Sequence, residues 1–163
     1  MWCWERTNGM EESLSAAREE LKRVDHLIYV SLKYTRTCDI FKSIIQRLID
    51  ALDNSLLAVL KRIEEERKIH EIPSQPGLRC STIREHVPDE KMDELIEFYL
   101  LLRQINRAEF TRFREFRRHV TMSVNVAGEE HEITIDKITE YYKKTRDYIE
   151  HVEKTLYAEQ QTG

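Results

Sequence analysis

All three prolines of this chain, Pro73, Pro76 and Pro88, fall between Ile72 and Asp89, together with Gly77. Proline cannot continue a helix interior, so one connector punctuates the chain and the segments on either side are free to be helical. Four glycines and three prolines in 163 residues are too few for a loop-rich β-sandwich. The length fits one domain with its own core. From Glu11 to Thr35, the residues Leu14, Ala17, Leu21, Val24 and Ile28 recur at alternating steps of three and four. That spacing predicts one stripe of an amphipathic helix. The polar cluster Thr35, Arg36, Thr37 interrupts it. Phe41, Ile45, Leu48, Leu52, Val59 and Ile63 then form a second stripe that runs to about Lys68. Two long helices with so short a join should lie antiparallel.

The connector has room for a short helical turn around Ser81 to His86. Asp89 follows as an N-cap ahead of Met92, Leu95, Ile96, Tyr99 and Leu102. After His119 the period changes. Val120, Met122, Val124 and Val126 alternate, Gly128 punctuates, and Ile133 and Ile135 alternate again, which predicts a small β-hairpin. Asp136 is placed to cap a last helix with the stripe Ile138, Tyr142, Ile149, Val152 and Leu156. The expected fold is all-α: an antiparallel bundle of four to five helices with a small β-hairpin inserted before the last one. Residues 1–10 read as an N-terminal appendage, in which Trp2 and Trp4 could dock on the rest. Residues 11–163 read as a single helical domain.

Composition narrows the function classes. The net charge of −4 excludes a uniformly basic nucleic-acid coat, so any polyanion site must be local. No run of eighteen apolar residues exists to cross a membrane. The opening MWCWERTNG is too short and too polar for a signal peptide. Cys3, Cys38 and Cys80 are far apart and form no Cys-x-x-Cys, which points to a reducing cytoplasm rather than a disulfide scaffold or a zinc ribbon. There is no phosphate-binding glycine loop, no His-Glu-x-x-His and no histidine with a glutamate three residues before it. An active site here is expected to work without a metal or a cofactor.

The local exception to the acidic average is Leu100–Val120, LLLRQINRAEFTRFREFRRHV. It carries Arg103, Arg107, Arg112, Arg114, Arg117 and Arg118, opposed only by Glu109 and Glu115, and is closed by His119. Guanidinium is planar, always charged and matched to phosphate geometry. Imidazole is the side chain that trades protons near neutral pH. On a continuous helix, Arg103, Arg107, Arg114 and Arg118 fall within about 60°. Phe110, Phe113 and Phe116 recur at three-residue steps, as a buried face does. A solvated helix face knitted by ion pairs would have the same composition. Arg114 and His119 would be about 140° apart on such a helix, so they share a site only if the helix ends or a second copy supplies one of them. Lys33, Tyr34 and Arg36, at the first break, read as a helix-end charge cluster or a second anion contact.

Arg114-Glu115-Phe116-Arg117-Arg118-His119 resembles the motif of HEPN domains, which is Arg, usually a polar residue, then a few positions, then His. The layout resembles them too, with the motif late in the chain and a closing helix opened at Ile135-Asp136. HEPN domains are all-α and commonly dimeric, and many are metal-independent ribonucleases or RNA-directed toxins. The resemblance implies RNA as partner, a homodimer, and Arg114 and His119 as catalytic residues. Arg103, Arg107, Arg117 and Arg118 would bind substrate and Glu115 would orient Arg114 or His119. An antitoxin or nucleotidyltransferase partner is a further implication, although Thr121 stands where adenylylated members carry tyrosine. A non-catalytic helical interaction module and a nucleotide-binding regulatory domain are the alternatives. Arg146…His151 and Arg79…His86 have motif-like spacing as well. Arg146 and His151 sit among the packing residues of the last helix.

Overall fold

A computed structural model describes residues 2–161, and the side chains of residues 9–158. The side chains of Trp2, Cys3 and Trp4 lie outside the described residues. The described residues are mostly helical, with five helical rods and a three-stranded antiparallel sheet placed before the last of them. The first rod is α1 (Trp2–His26), a π-helical turn (Leu27–Ser31) and α2 (Leu32–Tyr34), joined without interruption. Residues 2–10 are thus the first turns of α1. Within the widened turn, Leu32 N–H reaches the carbonyl of Leu27, the bond that defines a π-turn. Thr35–Thr37 break the helix where the polar cluster stands in the sequence. The Thr37 hydroxyl then accepts from Ile40 N–H and caps α3 (Cys38–Glu65).

Side-chain register shows that α1 and α3 run antiparallel. Lys61 Nζ donates to Gly9 O at 3.0 Å and to Ser13 Oγ at 2.9 Å, while Arg47 meets Glu20 further along. The remaining rods are α4 (Pro76–His86), α5 (Glu90–Arg107) and α6 (Ile135–Gln161). The helix α4 is longer than the turn expected around Ser81–His86, and Pro76 sits in its first turn, where its missing N–H costs nothing. Asp89 caps α5 by accepting from Lys91 N–H at 3.2 Å. Every residue of the α3 stripe is buried, as are Met92, Leu95, Ile96, Tyr99 and Leu102 of α5 and the five stripe residues of α6. The cap of α6 differs from the expectation: Thr134 Oγ1 accepts from Lys137 N–H at 3.2 Å, and Asp136 lies inside the first turn. The helix therefore begins two residues earlier than expected, at Ile135, with the Thr134 hydroxyl as its cap.

The larger departure is in the arginine stretch. The helix α5 stops at Arg107, and Ala108 is extended, at φ −69° and ψ 148°. Phe110–Phe113 is then a strand, β1, antiparallel to β2 (Thr121–Val126), which pairs in turn with β3 (Glu129–Ile133). The expected hairpin is β2–β3, turned by Ala127 and Gly128, both at positive φ. The strand β1 was legible only as helix. No proline or glycine ends α5. Pairing decides instead: Met122 and Val124 bury one face of β2, and Phe110–Phe113 supplies its second hydrogen-bonded neighbour. The arginine wheel therefore does not exist, and neither does a buried Phe110/Phe113/Phe116 face. Phe113 and Phe116 are 49% and 74% exposed.

Candidate functional site

Between β1 and β2, residues 114–120 form a tight turn. Arg114 and Phe116 both adopt left-handed backbone, at φ 53° and 64°. Side chains of this size rarely occupy that region, at a cost of roughly 1–3 kcal/mol each. Surrounding bonds hold the turn. Phe116 N–H donates to Arg36 O at 2.7 Å, Arg117 N–H to Arg114 O at 3.3 Å, and Val120 N–H to Arg117 O at 3.2 Å. The Glu115 carboxylate accepts from Cys38 N–H at 3.1 Å, at the start of α3, and from Arg112 at 2.9 Å. Arg112 also reaches Asp39 at 2.9 Å. Val120 is wholly buried and pins the end of the turn to the core.

The turn thus clasps the Thr35–Asp39 junction, and the clasp is charged. Hydrogen bonding from Arg112 is the main cause that holds both the Asp39 and Glu115 carboxyls below their ordinary range. Groups shifted this way stabilise the clasp above about pH 4, and the contribution is lost as pH falls through their lowered values. Glu115 therefore orients Arg112 and caps α3, and its hydrogen bonds do not run to Arg114 or His119. Beneath it, burial and then the Glu115 charge push the Cys38 thiol up to about 11. Native Cys38 should therefore alkylate far more slowly at pH 8 than it does in urea. Peptide mapping after iodoacetamide treatment reads this directly. Equal rates would mean that the junction is open.

The turn creates a cavity of about 480 Å³ lined by Arg36, Arg114, Arg118, His119, Thr134 and Asp136, with Val120, Thr121 and Ile135. Arg114 and His119, five positions apart and both exposed, thus line one cavity within one chain because the helix ended before either of them. Arg36, from the α2–α3 junction, joins them. Its Nε is buried with no hydrogen-bond partner among the described residues. None of Arg36, Arg114 and Arg118 has a side-chain ion pair among the described residues. Asp136 is the single carboxylate in the lining. The N-terminus of α6 is here as well, and its dipole adds partial positive charge. Such an arrangement can hold a phosphate and place an imidazole beside it.

The other arginines do not line this cavity. The Arg103 guanidinium lies over the Tyr99 ring, 5.7 Å from its centroid. Arg107 ends α5 and Arg117 projects from the turn, both exposed. The rival spacings separate also. Arg146 lies over Tyr142 while His151 pairs with Asp89 in another concavity, of about 450 Å³. Arg79 binds Pro73 O, and His86 binds Thr82 O. Among the site residues, Thr134 and Asp136 carried no signal in the sequence beyond their place before the last helix. Among the described residues, no group of three histidine, cysteine, aspartate or glutamate side chains is arranged to hold a metal ion. No protein-family model, curated protein or solved structure matches the chain.

Proposed function

We propose that this chain is an RNA-binding protein of HEPN-like type, and that the Arg114–His119 cavity is a metal-independent endoribonuclease site. One observation carries the reading. Three arginines without side-chain ion pairs among the described residues and one histidine line a single cavity. Arginines left unneutralised in an acidic chain suit a phosphodiester, which accepts their donors in pairs. RNA also brings its own nucleophile, the 2′-hydroxyl. Arg36, Arg114 and Arg118 would hold the non-bridging oxygens, and His119 would move the proton. The backbone strain at Arg114 supports the same view, since strained residues cluster where geometry serves function. Because Arg114 and His119 line the same cavity of one chain, the reading does not require a second copy, and a two-fold pair of chains is compatible with it.

Affinity should be strongly salt-dependent. Three phosphate contacts to a single strand correspond to a slope of about −2 in a plot of log affinity against log salt. Fluorescence anisotropy with a labelled oligoribonucleotide in EDTA measures it. Arg114→Glu should weaken binding to all sequences alike and flatten the slope. Absence of binding at low salt, or a slope near zero, would sink the reading in favour of a non-catalytic helical interaction module.

A further inference from the structure

Six large hydrophobic side chains are conspicuously exposed among the described residues: Tyr29, Val30, Tyr34, Leu78, Phe113 and Phe116. All but Leu78 lie in two short segments, 29–34 and 113–116. The second segment is tied to the Arg36–Asp39 junction that follows the first, and Arg36 lines the cation cavity. Phe116 N–H donates to Arg36 O, Glu115 binds Cys38 N–H, and Arg112 binds Asp39. Tyr34 is two residues from Arg36, and Phe116 is two from Arg114 and from Arg118. Both rings are largely in solvent, at 80% and 74%. The left-handed backbone at Phe116 makes this arrangement costly twice over, since the residue is strained and its ring is not buried.

We propose that Tyr34 and Phe116 are stacking platforms for unpaired nucleobases, so that the cavity takes single-stranded RNA in preference to a duplex. The proposal rests on the phosphate reading above and adds the form of nucleic acid. Every base has a π-face, and an aromatic ring beside a backbone grip binds single strands without regard to sequence. In a duplex the base faces are already stacked on one another, and only the phosphates remain for the protein. A second copy of the chain is the less favoured occupant. A copy docked ring to ring would match the aromatic faces and leave the positive charge of Arg36, Arg114 and Arg118 without an added complement, whereas a two-fold pair through another face remains compatible with RNA binding. Unpaired RNA offers both complements at once, negative charge for the cavity and aromatic faces for the rings.

The test compares an unstructured 2′-O-methyl oligonucleotide, which lacks the attacking hydroxyl, with a duplex of the same length and chemistry. Wild-type protein should bind the single strand at least about tenfold more tightly than the duplex. Tyr34→Ala and Phe116→Ala should each lose on the order of tenfold for the single strand while duplex affinity and salt slope stay unchanged. Phe116→Trp should retain binding. Both positions are exposed, so circular dichroism should confirm an intact fold. Equal affinity for the two forms, with the salt dependence intact, overturns the stacking proposal and leaves the phosphate reading standing. Binding of neither form at low salt overturns both. If Phe116→Ala converts a sedimenting dimer to monomer without changing the affinity for the single strand, the patch joins copies of the chain and the proposal fails.

Discussion

In buffer containing EDTA, His119→Ala protein is expected to cleave RNA about 10²- to 10⁴-fold more slowly than wild type. The range is that of one positioned acid–base group. In the proposed reaction the 2′-oxygen attacks phosphorus, the 2′-proton is removed, and the 5′-oxygen leaves with a proton. The products are a 2′,3′-cyclic phosphate and a 5′-hydroxyl. His119 serves as general base or acid on one of these oxygens, and Arg114 stabilises the charge that grows on the non-bridging oxygens. Arg114→Ala should therefore lower the single-turnover rate as well as the affinity. Arg107→Ala should leave the rate constant unchanged, because Arg107 does not line the cavity. Replacing RNA by DNA removes the nucleophile and should abolish cleavage altogether. Undiminished cleavage by His119→Ala protein, or cleavage that appears only with added metal, would remove this mechanism. Salt-dependent binding without cleavage would keep the phosphate site and withdraw the enzyme.

The second large effect concerns stability and separates two phenylalanines. Phe41 is wholly buried on α3, within the main core. Phe41→Ala should cost about 3–5 kcal/mol, from lost burial and the cavity left behind. Against a typical domain stability of about 5–15 kcal/mol that is a large fraction. Urea denaturation should show a much lower midpoint, or a chain already partly unfolded at rest. Phe116→Ala should change stability by no more than about 0.5 kcal/mol, since its ring is in solvent. Had Leu100–Val120 been one helix with a phenylalanine face, the two losses would be similar. Comparable midpoints for the two variants would therefore refute the strand-and-turn description of residues 110–119.

The bundle was legible because helix periodicity is a local signal that survives folding. Leu14, Val24, Phe41, Leu48, Leu52, Met92, Leu102, Ile138 and Val152 are all buried, and each stood in a stripe with three- or four-residue steps. Thr35–Thr37 and Asp89 marked helix ends by their own chemistry, since both ends are made by short polar side chains that accept backbone N–H groups. The β2–β3 hairpin announced itself by alternation and Gly128. The π-turn at Leu27–Ser31 did not, because widening a helix by one residue leaves no local mark in composition.

The arginine stretch failed for the opposite reason. Arg, Glu, Gln and Leu are good helix formers, and phenylalanine at three-residue steps imitates a buried helical face. What stops the helix at Arg107 lies outside the stretch, in the open edge of β2 and in the carbonyl of Arg36. The sequence alone therefore determined the amphipathic rods, their antiparallel order, the late hairpin and the presence of surplus guanidinium beside a histidine. Only tertiary structure decided which arginines share a cavity. Contacts across the sheet and with the α2–α3 junction fold the chain into a turn, gather Arg36, Arg114, Arg118 and His119, and leave Arg103, Arg107 and Arg117 outside. Periodicity is encoded within a few residues. Convergence depends on hydrogen bonds such as Phe116 N–H to Arg36 O, between residues that no local pattern connects.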